Sequence, residues 1–136
     1  MRIVGGCLCG SVRFEGNANP QFQVKCYCTD CRKTSGAGFA AMMGFPEDAI
    51  SFRGEAREFC SRADSGRDAI RAFCPTCGSG VYARNSGMPG MIFVRASALD
   101  DPNLFSPQMV VWAARAPAWD AVAGGIPAFA TSPQSN

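Results

Sequence analysis

The sequence predicts a mainly β protein of one domain. Short segments that alternate apolar and polar residues recur along the 136 residues, and Gly, Pro, Asn and Asp punctuate the intervals between them. No segment sustains the 3.6-residue apolar period of a long helix. A chain of this length buries roughly two thirds of its unfolded surface, enough for one core. The domain is expected to span residues 1–136, with a polar, frayed tail from about residue 131.

Residues 1–10 read as a ligand loop, because Gly5, Gly6 and Gly10 surround Cys7 and Cys9. Ser11–Glu15 alternates as a strand, Gly16–Pro20 is a turn by composition, and Phe22, Val24 and Cys26 mark a second strand. Thr29–Ser35 fits one short helical piece, with Thr29 as N-cap and Gly36 closing it. Gly38–Phe45 is apolar on both faces, as a buried strand requires, and Pro46–Ala49 is a turn. Ile50–Arg53 and Ala56–Cys60 are short strands. Asp64-Ser65-Gly66 signals a hairpin into Ala69–Phe73. Val81–Ala83, Met91–Val94 and Met109–Trp112 complete the strands, with a loop at Ala98–Pro102 and an irregular stretch from Ala116.

A net charge of +2, from 13 basic and 11 acidic side chains, carries no polyanion-binding signature. No nucleic-acid partner is expected. No run approaches the length of a membrane span and no secretory signal opens the chain, so a soluble, cytoplasmic protein is expected. In a reducing compartment the eight cysteines read as metal ligands or redox groups. Histidine is absent, which removes imidazole ligands, histidine bases and every Ser-His or Cys-His nucleophile pair.

The cysteines fall into blocks. Cys26-Tyr27-Cys28-Thr29-Asp30-Cys31 places three thiols where one turn of backbone aims them at a single point. That set suits a zinc ion with an exchangeable fourth ligand, the arrangement of catalytic zinc sites. A closed site completed by Cys60 and a trio of redox thiols are the alternatives. Cys7 and Cys9 with Cys74 and Cys77 make two paired arms distant in sequence, the usual construction of a structural four-sulfur zinc. Cys60, alone in a strand-like run, reads as a small buried hydrophobe. Arg32 and Lys33 follow the third cysteine and could offset thiolate charge or bind a substrate carboxylate, unless they are a solvated pair on a turn.

Three blocks, Gly6-Cys7-Leu8-Cys9-Gly10-Ser11-Val12, Cys26 through Gly36, and Arg71-Ala72-Phe73-Cys74-Pro75-Thr76-Cys77-Gly78-Ser79, together resemble the glutathione-dependent formaldehyde-activating enzyme family, which also contains centromere protein V. The resemblance implies a β-tent fold of packed antiparallel sheets, a structural zinc on Cys7, Cys9, Cys74 and Cys77, and a second zinc on Cys26, Cys28 and Cys31. It implies a carbon–sulfur lyase that adds glutathione, or a similar small thiol, to formaldehyde. The family commonly has histidine where this chain has Tyr27, whose hydroxyl is a candidate for substrate contact near the metal. A non-catalytic zinc-stabilised binding module is the competing reading, and the oligomeric state is not legible.

Overall fold

The computed structural model describes residues 1–133, so positions 134–136 of the expected polar tail lie outside the described residues. Among the described residues ten strands form two sheets. The smaller is antiparallel and orders β1 (Arg2–Gly6), β2 (Arg13–Asn17) and β5 (Ile50–Arg53). The larger has seven strands in the order β10 (Met109–Val111), β3 (Phe22–Cys26), β4 (Ala40–Pro46), β9 (Met91–Arg95), β8 (Gly80–Asn85), β7 (Asp68–Phe73) and β6 (Arg57–Arg62).

Side-chain alternation divides the larger sheet into two differently used faces. Met43, Phe45, Val81, Ile92 and Val94 point to one face and pack with Ile3, Phe14 and Ile50 of the smaller sheet, forming the main core. Ala40, Met42 and Phe93 point to the other, where they meet Cys31 and the partly buried Phe22, Cys26 and Cys28. The near-continuous apolar run of β4 follows from this double burial: Met42, Met43, Gly44 and Phe45 are all buried.

One short helix, α1 (Thr29–Ser35), lies between β3 and β4. Gly36 closes it at φ 73° and donates its N–H to the Arg32 carbonyl at 3.1 Å. The N-cap is Cys28 rather than the expected Thr29: its sulfur accepts the Cys31 N–H at 3.3 Å. A thiolate can thus serve the cap and the site together.

Other boundaries differ from the sequence reading in instructive ways. Residues 2–6 are a strand, not part of a loop, because Ile3 and the backbone of β1 pair with β2 in full register. The second strand begins at Arg13, two residues late, since Ser11 and Val12 complete the turn around Cys7. The sheets are not wholly antiparallel. β10 runs parallel to β3, with Val111 beside Cys26, after a long connection carrying 3-10 turns at Ala96–Ala98 and Pro102–Leu104. Cys60 is exposed rather than buried, because β6 is an outer strand. No helix among the described residues is long and apolar enough to cross a membrane.

Candidate metal centres and cavity

The first cysteine cluster ties the two sheets together. Cys7 and Cys9 come from the β1–β2 turn and Cys74 and Cys77 from the β7–β8 turn, with all four sulfurs within 4.8 Å of one another. The Cys7–Cys9 and Cys9–Cys74 sulfur separations are both 3.7 Å. Bonds of about 2.3 Å to a tetrahedral metal give an edge of about 3.8 Å, so the donor set fits a thiophilic ion. Gly10 and Gly78, at φ 82° and 80°, reverse the chain after each arm. The Gly10 and Gly78 N–H groups donate to the Cys7 and Cys74 carbonyls.

Hydrogen-bond donors surround these sulfurs. Cys7 receives the Val12 N–H at 3.2 Å and Cys74 the Thr76 N–H at 3.4 Å. The Ser11 hydroxyl lies 3.1 Å from Cys9 and 3.2 Å from Cys74. Ser79 contacts Cys77 at 3.2 Å while accepting the Leu8 N–H at 3.0 Å, which links the two arms. Burial opposes ionisation of Cys7, yet the Val12 N–H, Ser11 and the neighbouring sulfurs hold it down at about 7. Cys77 is lowered to about 5 by the Ser79 hydroxyl and the backbone N–H groups of Ser79 and Cys9. Such donors steady thiolates, the form that binds metal.

The second cluster is differently placed. Cys26 ends β3, Cys28 caps α1 and Cys31 lies in its first turn, with the three sulfurs within 4.8 Å of one another. Cys60 is not among them. Cys28 is held far below the ordinary thiol range by hydrogen bonds from Cys26 and Cys31, helped by the Cys31 N–H and by Arg71. The same contacts raise Cys26, as does its burial.

These sulfurs form part of the wall of a cavity of about 340 Å³. Phe22, Val24, Met42, Phe93, Val111 and Trp112 supply its apolar surface, and among the described residues no Asp, Glu, Lys or Tyr lines it. Three arginines missed by sequence reasoning, Arg71, Arg84 and Arg95, line it, and two of them reach α1. Arg71 of β7 places Nη2 4.0 Å from the Cys31 sulfur and Nη1 3.9 Å from Asp30 Oδ2. Arg95 of β9, 4 % exposed, donates from Nη2 to the Thr34 hydroxyl of α1 at 2.9 Å. Arg115 stacks on the cavity-lining Trp112 with its guanidinium carbon 4.7 Å from the ring centre and pairs with Asp64 of the β6–β7 turn. Trp112 itself adopts φ 57°, the one non-glycine residue with positive φ among the described residues. Its N–H reaches the Thr131 carbonyl at 3.1 Å, which fastens the start of the expected frayed tail. A larger groove of about 450 Å³, lined by Lys25, Phe39 and Phe105 among others, touches none of the thiols.

The sequence-derived contact residues lie elsewhere. Tyr27 is 2 % exposed and packs its ring on Phe39 at 5.3 Å, with burial and then Asp120 raising its hydroxyl pKa. Tyr27 does not line the cavity, nor do Arg32 and Lys33, which extend from α1. The cysteines come together as grouped; the cations near them come from strands distant in sequence.

Known proteins point the same way. Residues 2–115 match the family model described as "Glutathione-dependent formaldehyde-activating enzyme". A Halomonas elongata protein named "Putative glutathione-dependent formaldehyde-activating enzyme" is 31% identical over 107 residues, covering 74% of this chain and 67% of that protein. A crystal structure of a Rhodobacter sphaeroides protein matches the fold with a TM-score of 0.59 at 23% identity, over 76% of this chain and 96% of the other. With the family model spanning most of its length, the chain belongs to the glutathione-dependent formaldehyde-activating enzyme family.

Proposed function

We propose that this chain is a zinc-dependent enzyme of the carbon–sulfur lyase type, joining glutathione or a similar small thiol to a small electrophile such as formaldehyde. The observation that supports this reading is the convergence of Cys26, Cys28 and Cys31 on one point in the wall of an apolar cavity. In this reading residues 1–136 form one zinc-binding domain of the β-tent type, at work in the reducing cytoplasm, where free thiols persist. Cys7, Cys9, Cys74 and Cys77 close a structural site. Cys26, Cys28 and Cys31 hold a second zinc whose fourth position exchanges.

Zinc, when bound, supplies a Lewis acid that stabilises a thiolate near neutral pH. The chain does the rest. Its apolar wall excludes water from the nucleophile and holds a small thiol beside a small carbonyl compound. The thiol gives its proton to solvent, sulfur forms a bond to the carbonyl carbon, and the carbonyl π electrons move to oxygen, which takes a proton from solvent. The product is a hydroxymethyl thioether. No histidine exists in the chain and no Asp or Glu lines the cavity among the described residues, and in this reading protons exchange with solvent through the mouth.

The test is adduct formation from glutathione and isotopically labelled formaldehyde, followed by NMR with and without the zinc-loaded chain. Acceleration that disappears in Cys28→Ser is the expected result. An unchanged rate, together with no binding of glutathione, would overturn the reading.

A further inference from the structure

The thiols alone do not explain why two arginines are half-buried or buried beside them. Arg95 is 4 % exposed, its Nε has no hydrogen-bond partner, and no carboxylate pairs with it among the described residues. Arg71 has a side chain only 13% exposed, and its one ion pair, to Asp30, is long at 3.9 Å. By contrast Arg84, also at the cavity wall, is met by Glu47 and Glu58, each at 2.6 Å. A buried guanidinium without a counter-charge is strongly unfavourable. Both arginines line the same cavity as Cys26, Cys28 and Cys31, and Arg71 Nη2 lies 4.0 Å from the Cys31 sulfur.

This inference rests on the open second metal site proposed above. We propose that Arg71 and Arg95 are specificity-determining positioning residues, which make the open face of the Cys26, Cys28 and Cys31 cluster accept an anionic sulfur in preference to a neutral ligand. A divalent metal held by three thiolates carries a net charge of about −1. An incoming thiolate is repelled by that charge, whereas water or an amine is not. Two guanidinium groups, held by β7 and β9 of a rigid sheet, offset the charge of a fourth thiolate at no cost in reorganisation. They act through the field and not through contact with the reacting atoms. Arg32 and Lys33, on α1 and away from the cavity, do not take this role.

The experiment loads the full chain with cobalt(II) in place of zinc and follows the visible bands of the bound ion. The wild-type chain and Arg95→Gln are titrated with 2-mercaptoethanol, which brings an anionic sulfur, and with imidazole, which binds neutral. The expected result is a loss of about tenfold or more in affinity for the thiol, with imidazole affinity changed less than about twofold. Arg95→Lys, which restores the charge, should recover most of the loss. Equal losses for both ligands, or an unchanged thiol affinity, would overturn the inference while leaving the open site intact. A wild-type chain that responds to imidazole but never to the thiol would overturn both. If Arg95→Gln fails to fold by circular dichroism, Arg71→Gln carries the same test with the same two ligands and the same outcomes.

Discussion

The two cysteine clusters use one kind of donor atom and differ in everything around it. Cys7, Cys9, Cys74 and Cys77 join two turns from different sheets, and N–H groups and serine hydroxyls crowd the sulfurs. Cys26, Cys28 and Cys31 come from one strand end and one helical turn, and they share a cavity wall with apolar side chains and three arginines, Arg71, Arg84 and Arg95. In the function proposed above, four ligands drawn from distant segments would make a staple for the fold, whereas three drawn from a single local segment would leave one face of a bound ion free. The comparison teaches that two clusters of the same donor atom differ in the number of sulfurs and in how far apart in the chain they arise.

The largest effect should separate the clusters directly. Cys74→Ser, at a fully buried sulfur, removes one arm of the staple. Structural zinc sites contribute apparent free energies of roughly 10 to 16 kcal/mol, so loss of soluble yield and of the β signature in circular dichroism is expected. Cys28→Ser should keep both while losing thiol binding. Equal collapse of the two variants would break the division of roles.

The two faces of the larger sheet offer a second comparison. Phe45, fully buried in the main core, should lose about 3–5 kcal/mol as Phe45→Ala in denaturant unfolding, with thiol affinity of the folded protein unchanged. Phe93, 9% exposed on the cavity face, already borders a void. Phe93→Ala should cost less than about 3 kcal/mol and weaken thiol binding. A reversed order would mean that the cavity face, not the face covered by the smaller sheet, holds the fold together.

Smaller effects sharpen the boundary of the site. Cys60→Ser, on the outer strand, should stay within about 0.5 kcal/mol of wild type and leave metal content unchanged; a lost metal would restore Cys60 as a fourth ligand. Arg13 and Asp100 tie the smaller sheet to the segment after β9 through a bidentate pair, and Arg13 lowers the Asp100 carboxyl below its usual value. The contribution of this pair is therefore present above the ordinary carboxylate pKa and fades as pH falls through the lowered one. Asp100→Asn should flatten acid unfolding slightly, and an identical acid profile would show the pair to be inert.

Much of this was legible in the residues because the signals are local. The cysteine spacing declared both clusters, and the sequence from Thr29 to Gly36 declared a helix bounded by glycine. Most β-strands followed from alternation or from the apolar run of β4, with boundaries moved by a residue or two; β1, read as a ligand loop, did not. Arg71 and Arg95 escaped notice because only strand register brings β7 and β9 beside α1; no spacing rule connects Arg95 to Cys31. Arg32 and Lys33, adjacent to Cys31 in sequence, extend from α1 and do not line the cavity. Cys60 was misplaced because an outer strand and a central one share the same alternation, and the sheet order decides which is covered. The parallel pairing of β10 and the left-handed Trp112 both depend on the path of a long connection, which carries no periodicity.

The most direct test is the metal content of the chain, with a parallel count of titratable thiols, before and after dialysis against a mild chelator with and without glutathione. Two zinc ions per chain are expected, one lost readily on dialysis and retained when glutathione is present, with Cys26, Cys28 and Cys31 becoming titratable as it leaves. Two equally inert ions, or a labile ion indifferent to glutathione, would contradict an open, thiol-accepting second site.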